Sequence, residues 1–314
     1  MLSNLINPYF WVISIRNLLY DLKVLPSKRL SIPVISIGNL SAGGTGKTSL
    51  VRYLAENLSK KLHVGILLRG YKRKSKGYKV ILDRGMLCST LFEAGDEAYM
   101  LSYLFQGKPK VSLAVGEDRV LAGKRMIEEL NIELLLLDDG FQHRRLYRDI
   151  DLLLLKKNDL KDKLLPLGRL REPLNSLKRA SAIILSYQEV LPFEFTFKDK
   201  PIFKLFRKNF RILDASHHPP TLKEGESFIA FSGLGYNEQF QMTLKNLKIP
   251  VKKFLSFPDH YDYRDFKLDP SEKYLTTLKD FIKFPQAPNL YFLDFDIEIP
   301  SLLLFLENFL FNPA

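Results

Sequence analysis

The segment that most restricts the fold is residues 38–48, Gly-Asn-Leu-Ser-Ala-Gly-Gly-Thr-Gly-Lys-Thr, which follow the apolar run Ile32-Pro-Val-Ile-Ser-Ile37. A strand, a glycine-rich turn and a Lys-Thr pair opening a helix make an anion cradle. Backbone N–H groups converge on a phosphate, the helix N-terminus adds partial positive charge, and Lys47 reaches the outer phosphates. Thr48 sets a hydroxyl where Mg2+ sits in such loops. Gly46, Lys47 and Thr48 fit the P-loop pattern, whereas Ser41 stands where its first glycine is expected. Gly43 and Gly44 restore the lost backbone freedom, since glycine takes positive φ without steric cost. Residues Ser41, Ala42, Gly43, Gly44, Thr45, Gly46, Lys47 and Thr48 are therefore the expected nucleotide-binding set. A merely flexible loop is the plainer alternative, but it would not require a strand before it and a helix after it.

From residue 32 onward, short apolar runs alternate with helical stretches. Strands are expected at 32–37, 63–68, 111–115, 133–138, 150–155 and 181–186, and helices at 47–60, 96–105 and 117–130. Runs without a polar face, such as Leu134–Leu137 and Leu152–Leu155, belong where both faces of a parallel sheet are covered. The expected fold class is α/β: a P-loop NTPase-like, doubly wound, mostly parallel sheet. Residues 187–225 are rich in Phe, Pro and charge and read as extended linker strands. A smaller α/β lobe follows, with strands near 227–232, 250–255, 273–277 and 290–296 and helices near 236–247 and 300–311. The expected division is 1–30 as an N-terminal helix, 31–190 as the core, 191–225 as the linker and 226–314 as the second lobe. Whether helix 300–311 stays in that lobe or returns to the core is left open by the pattern.

The chain has 314 residues and a net charge of +12, which favours an anionic partner: nucleic acid, a phosphorylated substrate or an acidic membrane. No basic module of a known nucleic-acid-binding fold is visible, so nucleic acid rests on charge alone and is not expected. Cys88 is the only cysteine, which excludes an internal disulfide framework and points to a reducing, intracellular compartment. No run approaches the ~20 apolar residues of a membrane span, and the N-terminus lacks the features of a signal peptide. Asn7 and Pro8 suit a helix start. Phe10, Trp11, Val12, Ile13, Ile15, Leu18, Leu19 and Leu22 then face a polar stripe of Ser14, Asn17 and Asp21, with Arg16, Lys23, Lys28 and Arg29 nearby. This amphipathic helix suits the plane of an anionic membrane; packing on the protein's own core is the alternative.

A second signal is Ile132-Glu-Leu-Leu-Leu-Leu-Asp-Asp-Gly-Phe-Gln-His143. A hydrophobic strand ending in aspartate is the Walker B arrangement that holds Mg2+ opposite the P-loop hydroxyl. Asp138 and Asp139 fall at the strand's C-terminal end, where open α/β sheets bind ligands.

Together these segments resemble the tetraacyldisaccharide 4′-kinase family. The resemblance runs through Ile35–Thr48, Leu68-Arg-Gly-Tyr71, Ala94-Gly-Asp-Glu97, Glu117-Asp-Arg119, Asp138-Asp-Gly-Phe-Gln-His143, Pro166-Leu-Gly-Arg-Leu-Arg-Glu-Pro173, Phe231-Ser-Gly-Leu-Gly235 and Phe257-Pro-Asp-His-Tyr261. It implies an ATP-dependent, Mg2+-requiring kinase of lipid A and lipopolysaccharide biosynthesis. Such an enzyme acts on a disaccharide 1-phosphate at the cytoplasmic face of the inner membrane of a Gram-negative bacterium, as a peripheral protein, with a monomer expected. Asp96 matches the family's catalytic base and His260 its partner, with Lys47 stabilising charge on the phosphates. Arg69, Arg119, Gln142, His143 and Arg171 match positions near the substrate, and Thr48, Asp138, Asp139 and Glu172 the metal. Read without the resemblance, Asp96 is equally a helix cap, His260 a hydrogen-bonded loop histidine, and the arginines members of ion pairs. The basic run Tyr71–Lys79 reads as a solvated loop or as a contact for an anionic headgroup. One departure is Thr277-Leu-Lys-Asp280, where the family commonly has Thr-Glu-Lys-Asp; no role of that glutamate carries over.

A membrane-cycling ATPase of the deviant Walker A class is the rival reading, because Ala42-Gly-Gly-Thr-Gly-Lys-Thr48 differs from its loop only at the first position. That position supplies the lysine acting across the dimer, and Ala42 cannot. A GTPase lacks support: there is no Asn-Lys-x-Asp motif, and Leu137 replaces the Asp of an Asp-x-x-Gly switch.

Overall fold

An all-leucine strand has no side to turn to water, so it must lie in the middle of a covered sheet. The computed structural model, which describes residues 7–221, 225–284 and 287–311, puts both leucine runs there. Strand β1 (Val34–Asn39) lies between β6 (Leu134–Asp138) and β7 (Ile150–Leu155), parallel to both, and every residue of the three is buried. Adding β2 (Val64–Leu68), β3 (Lys79–Asp83), β4 (Met86–Leu87), β5 (Val111–Val115), β8 (Ala182–Leu185) and β9 (Ile202–Lys204) gives a nine-stranded sheet of order β4-β3-β5-β2-β6-β1-β7-β8-β9. Only the β3–β4 hairpin runs antiparallel to its neighbours. That hairpin was not expected from the sequence, since it is short, at the sheet edge, and follows the basic run.

Helix α1 (Pro8–Asp21) starts as expected, with the Asn7 side chain accepting from the Tyr9 amide. Helix α2 (Lys47–Leu58) follows the glycine loop, α3 (Leu91–Ala94) is a single turn, and α4 (Asp96–Phe105) and α5 (Arg119–Leu130) complete the first lobe. Asp118 caps α5 by accepting from the Val120 and Leu121 amides. Leu50 and Leu54 of α2 and Leu101 and Phe105 of α4 pack on one sheet face; Val120, Met126 and Leu130 of α5 pack on the other.

A second sheet, of order β10-β14-β13-β11-β12, is built from β10 (Phe206–Leu213), β11 (Phe228–Ser232), β12 (Val251–Ser256), β13 (Lys273–Thr277) and β14 (Leu290–Glu298). Helices α6 (Asn237–Asn246) and α7 (Leu278–Phe281) accompany it. The expected linker divides between the sheets: β9 pairs with β8, β10 pairs with β14, and the buried Leu205 is the single residue between them. The question left open for the last helix is answered here. Helix α8 (Leu302–Phe311) leaves the second sheet and buries Leu302 and Leu306 in the first-lobe core, against the placement of 226–314 as one lobe. The chain therefore crosses between lobes twice. Residues 1–6 of the expected N-terminal segment, 222–224 of the linker, and 285–286 and 312–314 of the second lobe lie outside the described residues.

Candidate active site

Where β1 ends, the chain needs positive φ to turn back into a helix, and glycine supplies it: φ is 100° at Gly43 and 86° at Gly46, the residue before α2. A Cβ built on Gly43 or Gly44 would meet nothing within 4 Å, so this loop faces open space at the top of the sheet. Its shape is held from beneath. Asn39 donates to the Ser41 carbonyl (2.7 Å) and to Thr45 Oγ1 (2.9 Å), and Lys47 Nζ donates to Asn39 Oδ1 at 3.2 Å. The Ala42 amide donates to the Arg169 carbonyl at 2.7 Å, tying the loop to residues 169–171.

The neighbouring strand delivers the two aspartates to opposite environments. Thr48 Oγ1 lies 3.3 Å from Asp138 Oδ2, and the buried Asp138 Oδ1 has no partner among the described residues. Burial pushes the Asp138 carboxyl well above the usual carboxylate range, the charge of Glu97 adding to the effect. Asp139 is instead gripped by Arg171, whose guanidinium donates to both carboxylate oxygens at 2.8 and 2.7 Å, with Lys47 at 3.5 Å. Burial opposes its charge, but Lys47 and Arg171 outweigh it and hold the carboxyl far below the ordinary value. A hydroxyl and an orphaned carboxylate oxygen fit one face of a hydrated Mg2+, which takes its other ligands from water and phosphates. Among the described residues there is no group of three or more His, Cys, Asp or Glu able to hold a metal by themselves.

Glu172 does not join this set. It is fully buried, accepting from Arg179 at 2.7 Å and from Asn17 at 2.8 Å, with Arg16 at 3.6 Å. These partners tie it to α1, and its buried Oε1 has no hydrogen-bond partner among the described residues. Arg171 and Glu172, although adjacent, take different partners: Asp139 for the first, Arg179 and Asn17 for the second.

The substrate set gathers at the tops of β2, β5 and β6. Arg119 is buried and donates to the Glu117 carbonyl at 3.3 Å, and its Nε has no partner among the described residues. Burial, with the charge of the exposed Arg69, lowers its guanidinium to about 10. His143 is lowered to about 4 by burial and by Arg119, so it is neutral at pH 7, and its buried Nε2 is unpartnered. Gln142 donates to the Asn39 carbonyl at 2.9 Å and leaves Oε1 unpartnered. Arg69 and Arg119 stand close enough to perturb one another, and such a pair of guanidiniums suits an anion.

The second lobe closes over the first at Asp96. This residue opens α4 after Gly95 (φ 80°), so the helix N-terminus favours its charge. His260 Nδ1 lies 3.0 Å from Asp96 Oδ2, while its Nε2 faces Lys279 Nζ at 3.4 Å. The Asp96 carboxylate only accepts, so Nδ1 carries the proton of this bond, while Nε2 also stands 3.8 Å from Asp259 Oδ1. Burial opposes ionisation of Asp96, but the hydrogen bonds from His260 and Lys283 hold its carboxyl at about 2. The Phe231–Gly235 loop follows the closure, since a Cβ on Gly235 would stand 3.8 Å from Gly43 Cα. Leu278, at the departure from the family pattern, is buried in the second-lobe core. The sequence reading missed Glu97, whose carboxylate acts on Asp138, and Lys283, which meets Asp96.

A phosphate loop on the central strand, an aspartate opposite its threonine, and a first-lobe carboxylate met by an imidazole of the second lobe define a P-loop phosphotransferase. The model of the tetraacyldisaccharide-1-P 4′-kinase family, LpxK, matches residues 1–310. A tetraacyldisaccharide 4′-kinase of Aquifex aeolicus (strain VF5) is 52% identical over 294 residues, covering 93% of this chain and 91% of that protein. One from Halothermothrix orenii (strain H 168) is 33% identical, covering 95% and 86%. A crystal structure of Aquifex aeolicus LpxK, described as an "apo" form in complex with ATP, matches with a TM-score of 0.84 at 50% identity, covering 94% of this chain and 93% of that one. The chain belongs to the tetraacyldisaccharide 4′-kinase family.

Proposed function

We propose that this kinase transfers the γ-phosphoryl group of ATP to the 4′-hydroxyl of a tetraacyldisaccharide 1-phosphate, the phosphorylation step of lipid A synthesis. The observation that carries the reading is the juxtaposition of Asp96 and His260, 164 residues apart in sequence, over a lobe that also bears the phosphate loop. Asp96 accepts the acceptor hydroxyl's proton as the phosphoryl group moves, and His260 orients the carboxylate. Lys47 and the amides of residues 43–48 bind the phosphates. Thr48 and Asp138 would hold Mg2+, with Asp139 beside them; the ion would neutralise charge on the phosphates. Arg69, Arg119, Gln142, His143 and Arg171 bind the phosphorylated sugar. The nucleoside end suits a cavity of about 620 Å³ beyond the ends of β7 and β8, lined by Lys156, Asn158, Tyr187, Tyr236 and Met242.

The lipid substrate implies a membrane, and α1 supports a peripheral attachment at its inner face. The polar stripe faces the protein: Asn17 binds Glu172, and Asp21 pairs with Arg144 at 2.7 Å. The apolar face is left outward, with Trp11, Val12, Ile15, Leu18 and Leu22 between 49% and 64% exposed. No helix among the described residues is long and apolar enough to cross a membrane. Lys72, Lys74 and Lys76, with Tyr71 and Phe92, add an exposed basic and aromatic rim beside His260. The test is incubation with Mg2+, ATP and the tetraacyl disaccharide 1-phosphate. Appearance of the bisphosphorylated disaccharide is expected; ATP consumed without that product would refute the assignment.

A further inference from the structure

Lys283 lies in the turn after α7 with a side chain only 4% exposed, and an ammonium that deep must be matched by fixed acceptors. Two of these belong to its own lobe. Lys283 donates to the Tyr261 carbonyl at 2.8 Å and stands 3.6 Å from Asp280 Oδ1, above the Tyr263 ring at 5.4 Å. Asp280 is itself immobilised, accepting from the Gly233 amide and from Thr277 Oγ1, both at 2.9 Å. The third acceptor is across the lobe boundary: Asp96 Oδ2, at 2.9 Å. His260 takes the same oxygen at 3.0 Å, so both bonds from the second lobe fall on Oδ2 and neither on Oδ1. Torsion of a carboxylate about its Cβ–Cγ bond is soft, and two donors at one oxygen remove that freedom.

We propose that Lys283 is a positioning residue for phosphoryl transfer, clamping Asp96 by Oδ2 as the lobes meet so that Oδ1 is presented to the acceptor hydroxyl. The inference rests on Asp96 being the proton acceptor. Lys283 therefore makes closure and the aiming of the base one event: an open enzyme has a mobile carboxylate, a closed one a fixed carboxylate. His260 alone supplies one bond and cannot fix the carboxylate plane. The groups facing Asp96 are His260 and Lys283, with Tyr263 and Lys279 behind them and Glu97 next on its own helix.

The test is a double-mutant cycle on the full-length enzyme, with kcat, both KM values, ATP affinity and melting temperature recorded for Lys283→Met, Lys283→Arg, Asp96→Asn and the pair Asp96→Asn/Lys283→Met. Lys283→Met should lower kcat about 10²-fold with the KM for ATP little changed, and Lys283→Arg, which keeps the charge, should recover part of the loss. The acid limb of kcat/KM should move upward by about one pH unit in Lys283→Met. In the Asp96→Asn background the same substitution should change residual turnover less than about twofold, because the group it acts through is gone. An equal loss in both backgrounds would show a structural lysine and overturn the proposal, as would wild-type kcat in Lys283→Met. Near-normal turnover by Asp96→Asn alone would instead remove the base, and the proposal with it.

Discussion

His143 illustrates how a single side chain can report the state of the site. Its proton affinity is lowered to about 4 in the folded protein, by burial and by Arg119, against an ordinary value of about 6.5. Between those values the unfolded chain binds a proton that the native protein refuses, so stability rises with pH across the window. The contribution is complete above pH 6.5 and is lost as pH falls toward 4. Replacing His143 with Gln should flatten the unfolding free energy across this range by on the order of 1–3 kcal/mol, as measured by urea titrations at successive pH values; an unchanged slope would mean another group titrates there. Residue types at the site were legible because each has a chemical reason to stand where it does: Lys47 and Thr48 after glycines, Asp138 at a strand end. Glu172 and Lys283 were not. A buried acid and a buried lysine look like ordinary charges until their partners are known: Arg179 and the distant Asn17 for Glu172, and Asp96 across the lobe boundary for Lys283.

Elements carry the next level of the account. Helix α2 begins from a left-handed glycine, and a Cβ at Gly46 would cost about 1–2 kcal/mol in that conformation. Gly46→Ala should therefore weaken ATP binding while leaving the fold cooperative, which calorimetry with ATP would check; unaltered affinity would detach the loop's geometry from phosphate binding. Helix α1 was legible as an amphipathic helix down to its Asn7 cap, but periodicity cannot say which face meets the protein. Asn17 and Asp21 hold the helix to the protein together with the buried Ile13, while Trp11, Val12, Ile15, Leu18 and Leu22 remain outside. Ile15→Glu/Leu18→Glu should lower partitioning onto anionic vesicles at least tenfold, since each exposed side chain offers about 1.5–3 kcal/mol of burial. The melting temperature should hardly move. Vesicle binding equal to that of the unaltered protein would assign the exposed face another purpose. The β3–β4 hairpin lay beyond the pattern because a five-residue strand and a two-residue edge strand carry too little periodicity to stand out from a basic loop.

At the scale of the whole molecule, alternating strands and helices disclosed two α/β lobes, whereas the chain's path between them depends on contacts far apart in sequence. Helix α8 shows the consequence. Its hydrophobes suit either lobe, and only the folded structure returns Leu302 and Leu306 to the first core. Truncating either to Ala should cost about 2–5 kcal/mol and, because α8 is the second tether between lobes, should raise the KM for the acceptor as well; denaturant midpoints and kinetics together would show it. Two crossings, at Leu205 and after β14, join the lobes, and His260 and Lys283 of the second meet one carboxylate of the first. That convergence is the centre of the account, and transfer of radiolabelled γ-phosphate to the disaccharide acceptor by Asp96→Asn, with ATP affinity determined on the same preparation, tests it most directly. The account predicts a fall in kcat of at least about 10²-fold with ATP affinity within about threefold of the unaltered enzyme; transfer at close to the unaltered rate would contradict it.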